Sequence, residues 1–166
     1  SSDAAQATVH GEDDRLHLVW RESGSVMYAQ RYGSGPLPLD RTLGVGSSPA
    51  MTLDSLGRVH VVWTSNIGTQ SSEIVYTMLD GLTAETRIAP TVLTADDDYS
   101  SIDPVPAAGP DDTLSIVFSD GRFYGSGSSD ELFILRLDPA LDDQNGDAGD
   151  REQLIVMPET RLTVHT

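Results

Sequence analysis

Residues 13–20 read DDRLHLVW and residues 56–63 read LGRVHVVW, nearly the same eight residues written twice. An internal repeat constrains a fold more than any single motif, because each copy must form the same unit and pack against its neighbour in the same way. Three stretches align. The first is ATVHGEDDRLHLVWRESGSVMYAQR from Ala7, the second AMTLDSLGRVHVVWTSNIGTQSSEIVYTML from Ala50, and the third VPAAGPDDTLSIVFSDGRFYGSGSSDELFILRL from Val105. Arg15, His17 and Trp20 of the first recur as Arg58, His60 and Trp63 of the second, and Phe118 takes the tryptophan position in the third. Acidic and Gly/Ser-rich loops absorb the extra length of the third copy.

Within each copy the order of parts is constant. A short apolar run leads to a Gly/Asp turn (GEDD, DSLG, GPDD), then to a run ending in an aromatic, a polar loop, and a third run (VMYAQR, EIVYTML, ELFILRL). Short β-branched and aromatic runs between Gly/Asp turns are antiparallel strands joined by hairpins. A weaker fourth run follows each time, RTLGV, TRIAPTVLT and TRLTVHT. No stretch carries helical periodicity with caps. Four strands per repeat is the measure of a β-propeller blade. The expectation is therefore an all-β fold of three four-stranded antiparallel blades, at about 1–46, 47–99 and 100–166, in one segment spanning 1–166. The second run is almost continuously apolar (LHLVW, VHVVW, LSIVF), as a strand buried on both faces between blades requires.

The pattern SSPAMTLDSLGRVHVVWTSN followed by EIVYTML resembles the blade repeat of many bacterial secreted and cell-surface propeller proteins, some distantly similar to sialidases. The resemblance covers essentially the whole chain and implies a secreted or cell-surface location and a propeller of six to eight blades. Three copies are fewer than the four to eight blades of closed propellers. SSDA at the start matches SSPA at 47–50, and the closing TRLTVHT matches the strand that precedes such a start, so both termini fall at blade boundaries. Two arrangements follow: the three blades belong to a larger propeller, or two chains associate and close a ring of six.

Charge narrows the partners. The formal net charge is −16, and all ten basic residues are arginine. Such a surface excludes nucleic acid, which needs clustered positive charge. The absence of cysteine excludes disulfides, thiolate metal sites and a cysteine nucleophile. No apolar run approaches the roughly 20 residues of a membrane-spanning helix.

Candidate sites are few. Trp20, Trp63 and Phe118 read as core aromatics rather than sugar-stacking platforms. Tyr28 and Tyr76 occupy matching places on the third strand, with Phe133 in the third copy. His17 and His60 recur as packing residues rather than metal ligands. The loop LDDQNGDAGDRE places Asp142, Asp143, Asn145, Asp147 and Asp150 close together as oxygen ligands of the kind Ca²⁺ takes, although the spacing departs from an EF-hand. Asp96, Asp97 and Asp98 form a second acidic cluster that reads as a solvated loop. The long loop SDGRFYGSGSSDE offers Arg122, Phe123 and Tyr124 as a mixed charged and aromatic surface for carbohydrate or protein.

Catalytic signatures are missing. The sialidase box S-x-D-x-G-x-T-W is absent, since TLDSLGRVHVVW spaces its Asp, Gly and Trp differently, and no G-x-S-x-G, H-E-x-x-H or phosphate-binding glycine loop occurs. The reading is a non-catalytic extracellular binding or scaffold module that uses inter-strand loops. The alternatives are a fragment of a sialidase-like glycoside hydrolase and a structural surface or filament subunit.

Overall fold

A computed structural model of the chain describes residues 5–10, 14–35, 40–66, 71–122, 131–140 and 153–162. These residues form strands and turns, with no helix among them. Sheet 1 is the meander β1 (Ala5–His10), β2 (Arg15–Glu22), β3 (Ser25–Tyr32) and β4 (Arg41–Val45). Sheet 2 repeats it with β5 (Ser47–Leu53), β6 (Val59–Ser65), β7 (Glu73–Leu79) and β8 (Thr86–Val92). Sheet 3 begins with β9 (Ser101–Ala108), β10 (Leu114–Asp120) and β11 (Glu131–Ala140).

The fourth place of sheet 3 is divided between two short strands. β12 (Gln153–Val156) pairs with the last residues of β11, and β13 (Thr160–Arg161) pairs with Phe133 and Ile134. The sequence reading anticipates only TRLTVHT here. Pro158 lies between the two strands, and a proline has no N–H to give a ladder.

The three sheets stack, with sheet 2 in the middle. Its two faces are built from alternate residues of the same strands, as the period of two requires. Val59, Val61, Trp63, Val75 and Leu79 meet Val19, Val26 and Tyr28 of sheet 1. Val62, Ile74, Tyr76 and Met78 meet Leu114, Ile116, Phe118, Phe133, Leu135 and Leu137 of sheet 3. Every residue of β6 and β7 is therefore buried, whereas β10 alternates buried and half-buried along its length. The near-continuous apolar character of all three second strands suits only the middle one fully.

Equivalent faces point the same way in every sheet. Trp63 packs back onto sheet 1, and Phe118 packs back onto sheet 2. Tyr28 faces forward onto sheet 2, and Tyr76 faces forward onto sheet 3. Phe133 does not take the tyrosine position. It lies opposite Phe118, as Val75 lies opposite Trp63, and Ile134 stands where Tyr76 does. The apolar runs ELFILRL and EIVYTML align equally well one residue apart, and a shift of one residue moves a side chain to the other face.

The chain passes between sheets at one end of the stack, here termed the crossing end. Gly46 makes the first passage, where its N–H donates to the Gly24 carbonyl at 2.9 Å. A Cβ at Gly46 would stand 2.3 Å from the Thr64 carbonyl oxygen and 2.5 Å from the Trp63 ring, so no other residue fits this approach. Shortly after each passage the entering strand bulges at a residue with positive φ followed by proline, first Ser48 (φ 48°) and then Asp103 (φ 53°). The Ser48 hydroxyl donates to the Asp103 carboxylate at 2.6 Å, and the Asp103 N–H donates to Thr64 Oγ1 at 3.1 Å. At the opposite, turn end, Asp112 accepts from the Ser55 N–H at 2.9 Å and from its hydroxyl at 3.0 Å. Sheets 2 and 3 are thus tied at both ends as well as through their core.

Candidate functional site

The crossing end gathers the β2–β3 and β6–β7 connections, both passages between sheets, and the end of the β10–β11 hairpin. Its described residues include buried carboxyls, each held by groups of the chain itself. Buried ionisable groups of this kind need such partners, because an unpaired charge away from water is costly.

Asp120 and Glu131 lie directly opposite each other across β10 and β11, and both are buried. Asp120 is gripped in bidentate fashion by Arg122, with Nε 2.9 Å from Oδ1 and Nη2 2.8 Å from Oδ2, and it accepts from the Ser101 hydroxyl at 2.7 Å. Burial alone would raise the Asp120 pKa, but the Arg122 and Ser101 hydrogen bonds outweigh it and hold the carboxyl below its ordinary value. Arg122 also donates to Glu159 at 2.6 Å and lies 4.6 Å from the centroid of the Phe133 ring. These carboxylate contacts raise the arginine pKa further. Glu131 pairs with Arg161 of β13. Two arginines therefore fasten the interrupted last strand to the hairpin end.

Arg122 is the one member of the anticipated Arg122, Phe123 and Tyr124 surface within the described residues. Its guanidinium is engaged by Asp120 and Glu159, with about a quarter of the side chain exposed. Phe123, Tyr124, and the anticipated calcium ligands Asp142, Asp143, Asn145, Asp147 and Asp150 lie outside the described residues. No group of three or more His, Asp or Glu side chains among the described residues is arranged to hold a metal ion. In the Asp96–Asp98 cluster, Asp97 accepts from the Tyr99 N–H at 2.8 Å and from Ser71 through its carbonyl at 2.6 Å, while Asp96 and Asp98 are exposed. The cluster forms the turn leading into sheet 3.

Glu73, 1% exposed, was not singled out in the sequence. Ser71 Oγ lies 2.5 Å from Oε1 and also 2.6 Å from the Asp97 carbonyl oxygen, while Thr94 Oγ1 accepts from the Ile74 N–H at 3.0 Å and lies 2.6 Å from Oε2. A hydroxyl has one proton to give. Ser71 therefore divides its single proton between the Glu73 carboxyl and the Asp97 carbonyl, while Thr94 donates to Oε2. Burial raises the Glu73 pKa, and the charges of Asp97 and Asp96 raise it further against the two hydroxyl bonds. A raised folded-state pKa means that Glu73 favours the fold most fully below the ordinary glutamate value of about 4.3, and that this contribution is lost as pH rises through the folded value. Glu73→Gln is therefore expected to stabilise the chain by about 1–2 kcal/mol at pH 7. The gain should shrink toward pH 4. Urea unfolding across that range checks it, and a gain independent of pH would contradict the raised pKa.

A second network sits at the turn end. Asp54 accepts from the backbone N–H groups of Leu56 at 3.0 Å and Arg58 at 2.8 Å, and pairs with the Arg58 side chain. Its Oδ2 also lies 2.9 Å from His60 Nε2, and His60 Nδ1 lies 2.9 Å from the Tyr76 hydroxyl. A carboxylate only accepts, so Nε2–H donates to Asp54, and Nδ1 is left to accept from Tyr76. Burial opposes the Asp54 charge, yet the His60 and Arg58 hydrogen bonds lower its pKa overall. All four side chains are buried, which closes the network to any substrate. Its role is to fix the DSLG turn and brace the middle sheet. Sheet 1 repeats part of it, with His17 Nδ1 at 2.8 Å from the Tyr28 hydroxyl. Sheet 3 has Ser115 and Ile134 at the corresponding places. The spacing D-x-x-x-R-x-H was the visible signal, but only the cross-strand tyrosine explains it.

No known protein family and no curated protein matches this chain.

Proposed function

We propose that the three sheets are β-propeller blades of a secreted or cell-surface protein, and that they act as a non-catalytic binding or scaffold module. Carbohydrate or protein would be engaged at the crossing end. The observation that carries this reading is the stacking of equivalent sheets in one sense, which brings both passages between sheets and every second-to-third strand connection to one end while the inner strand faces are consumed by packing. The carboxyls described there support a non-catalytic role, because arginines or hydroxyls of the same chain already engage Asp120, Glu131 and Glu73. A glycoside hydrolase needs two carboxyl groups that face a sugar with defined separation. Calcium in the 141–152 loop would organise part of the same module.

The test is a glycan array and a cell-surface protein screen, with and without Ca²⁺, followed by titration of any hit into isotope-labelled chain. Amide shifts concentrated at residues 22–25, 46–48, 64–66, 71–73 and 94–103 would support the reading. Shifts centred on the turn end, at 54–57 and 109–113, would refute the assigned surface. Hydrolysis of a bound glycan would replace the binding module with an enzyme.

A further inference from the structure

We propose that the back face of sheet 1 docks the front face of sheet 3 of a second copy of this chain, so that two chains close one ring of six sheets. The contact rests on the equivalence of the faces. Leu16, Leu18, Trp20 and Met27 hold the places in sheet 1 that Val59, Val61, Trp63 and Val75 hold in sheet 2, because each set is paired across its hairpin in the same register. In sheet 2 these four are fully buried against sheet 1. In sheet 1 they are half-buried, with no sheet behind them among the described residues.

The front face of sheet 3 is the complementary surface. Val105, Val117, Ile134 and Ile155 share it, with Val105 61% and Ile155 50% exposed, and they correspond in facing to the side of sheet 2 that covers sheet 3. Ser115, Ser119 and Arg136 also stand on it. Their presence makes the face less apolar than its counterpart in sheet 2, and the arginine stem can lie along apolar surface while its charge reaches the rim. Charge gives a second observation. Arg31 stands at the turn end of the sheet 1 back face, and Asp138 stands at the turn end of the opposing face. What covers such a back face is already visible twice inside the chain: the front face of an equivalent sheet. A contact between different patches of two identical chains is heterologous, so it either closes a ring or propagates.

Closure by two chains rests on the blade reading above, since six sheets fall within the range of closed propellers. The contact does not depend on it. The decisive experiment separates the two. Because the chain has no cysteine, Leu18→Cys and Ile134→Cys variants each carry a single thiol. Mixed together with a short bis-maleimide they should cross-link as an 18-to-134 heterodimer, with each variant alone giving at least tenfold less product. Like-with-like products, or none, would overturn the contact.

Light scattering after size exclusion tests closure. The wild-type chain is expected at twice the monomer mass. Leu18→Arg should give a folded monomer with an unchanged circular dichroism spectrum. A wild-type monomer would assign these faces to other sheets, a ladder of masses would replace the ring with an open stack, and a dimer insensitive to Leu18→Arg would place the interface elsewhere. Each of these three results overturns the proposal.

Discussion

Asp54→Ala is expected to lower the unfolding free energy by about 3–5 kcal/mol, the range seen when one partner of a buried ion pair is removed. The side chain satisfies two backbone N–H groups of its turn, the Arg58 guanidinium and the His60 imidazole at once. Its removal takes a carboxylate from the buried Arg58 guanidinium and orphans the His60 ring N–H in the middle sheet. Asp54→Asn keeps the size and one acceptor, and should lose less. The acid limb of stability should change as well. A lowered folded pKa makes the carboxylate stabilising above the ordinary aspartate value of about 3.9, with the contribution lost as pH falls through the folded value. Denaturant unfolding at pH 3–7 should therefore show a flatter acid limb in Asp54→Ala than in the wild type. An unchanged limb together with a loss under 1 kcal/mol would remove the network from any bracing role.

Trp63→Ala and Trp20→Ala form the second informative comparison. Trp63 is 1% exposed between sheets 1 and 2, where its indole N–H donates to the Val45 carbonyl at 3.2 Å. Truncation should cost about 3–5 kcal/mol through lost burial and the cavity left behind. Trp20 occupies the same position on the open back face, half-buried, and its indole N–H reaches only Glu22 at 3.4 Å. In dilute monomer its truncation should cost less than half as much. Thermal unfolding at a series of protein concentrations measures both costs. Docking of a second copy would raise the Trp20 cost toward that of Trp63 as concentration increases, whereas equal costs in dilute monomer would contradict the burial difference.

Much of the architecture was legible because antiparallel strands write themselves locally. Alternation, Gly/Asp turns and a repeated order of runs were enough to place β2, β3, β6, β7, β10 and β11, and RTLGV is β4 as observed. The split of the last position into β12 and β13 was not legible, because four- and two-residue strands carry too few residues for a pattern. The facing of Phe133 was misread for a related reason. In a strand that is apolar at almost every position, both registers satisfy the hydrophobic pattern, and only the partner strand selects one.

The site was less legible than the fold. Arg122 was visible as an arginine in a long loop, but its commitment to Asp120 and Glu159 depends on residues that meet only after β10 turns back and β13 is laid alongside. Glu73 gave no signal at all, since a glutamate beginning an apolar strand reads as a solvated end. Its burial comes from Ser71, Thr94 and the Asp97 carbonyl closing over it from separate stretches.

By itself the sequence determined the unit, its copy number and its strand order, because these follow from short-range periodicity and turn chemistry repeated three times. It also excluded disulfides and a basic nucleic-acid surface, because these require residues the chain lacks. Only the tertiary structure decided which copy is buried on both faces, which way each aromatic points, and which acids are held within the chain. Those properties belong to contacts between sheets, and the residues that make them are distant in sequence and ordinary in composition.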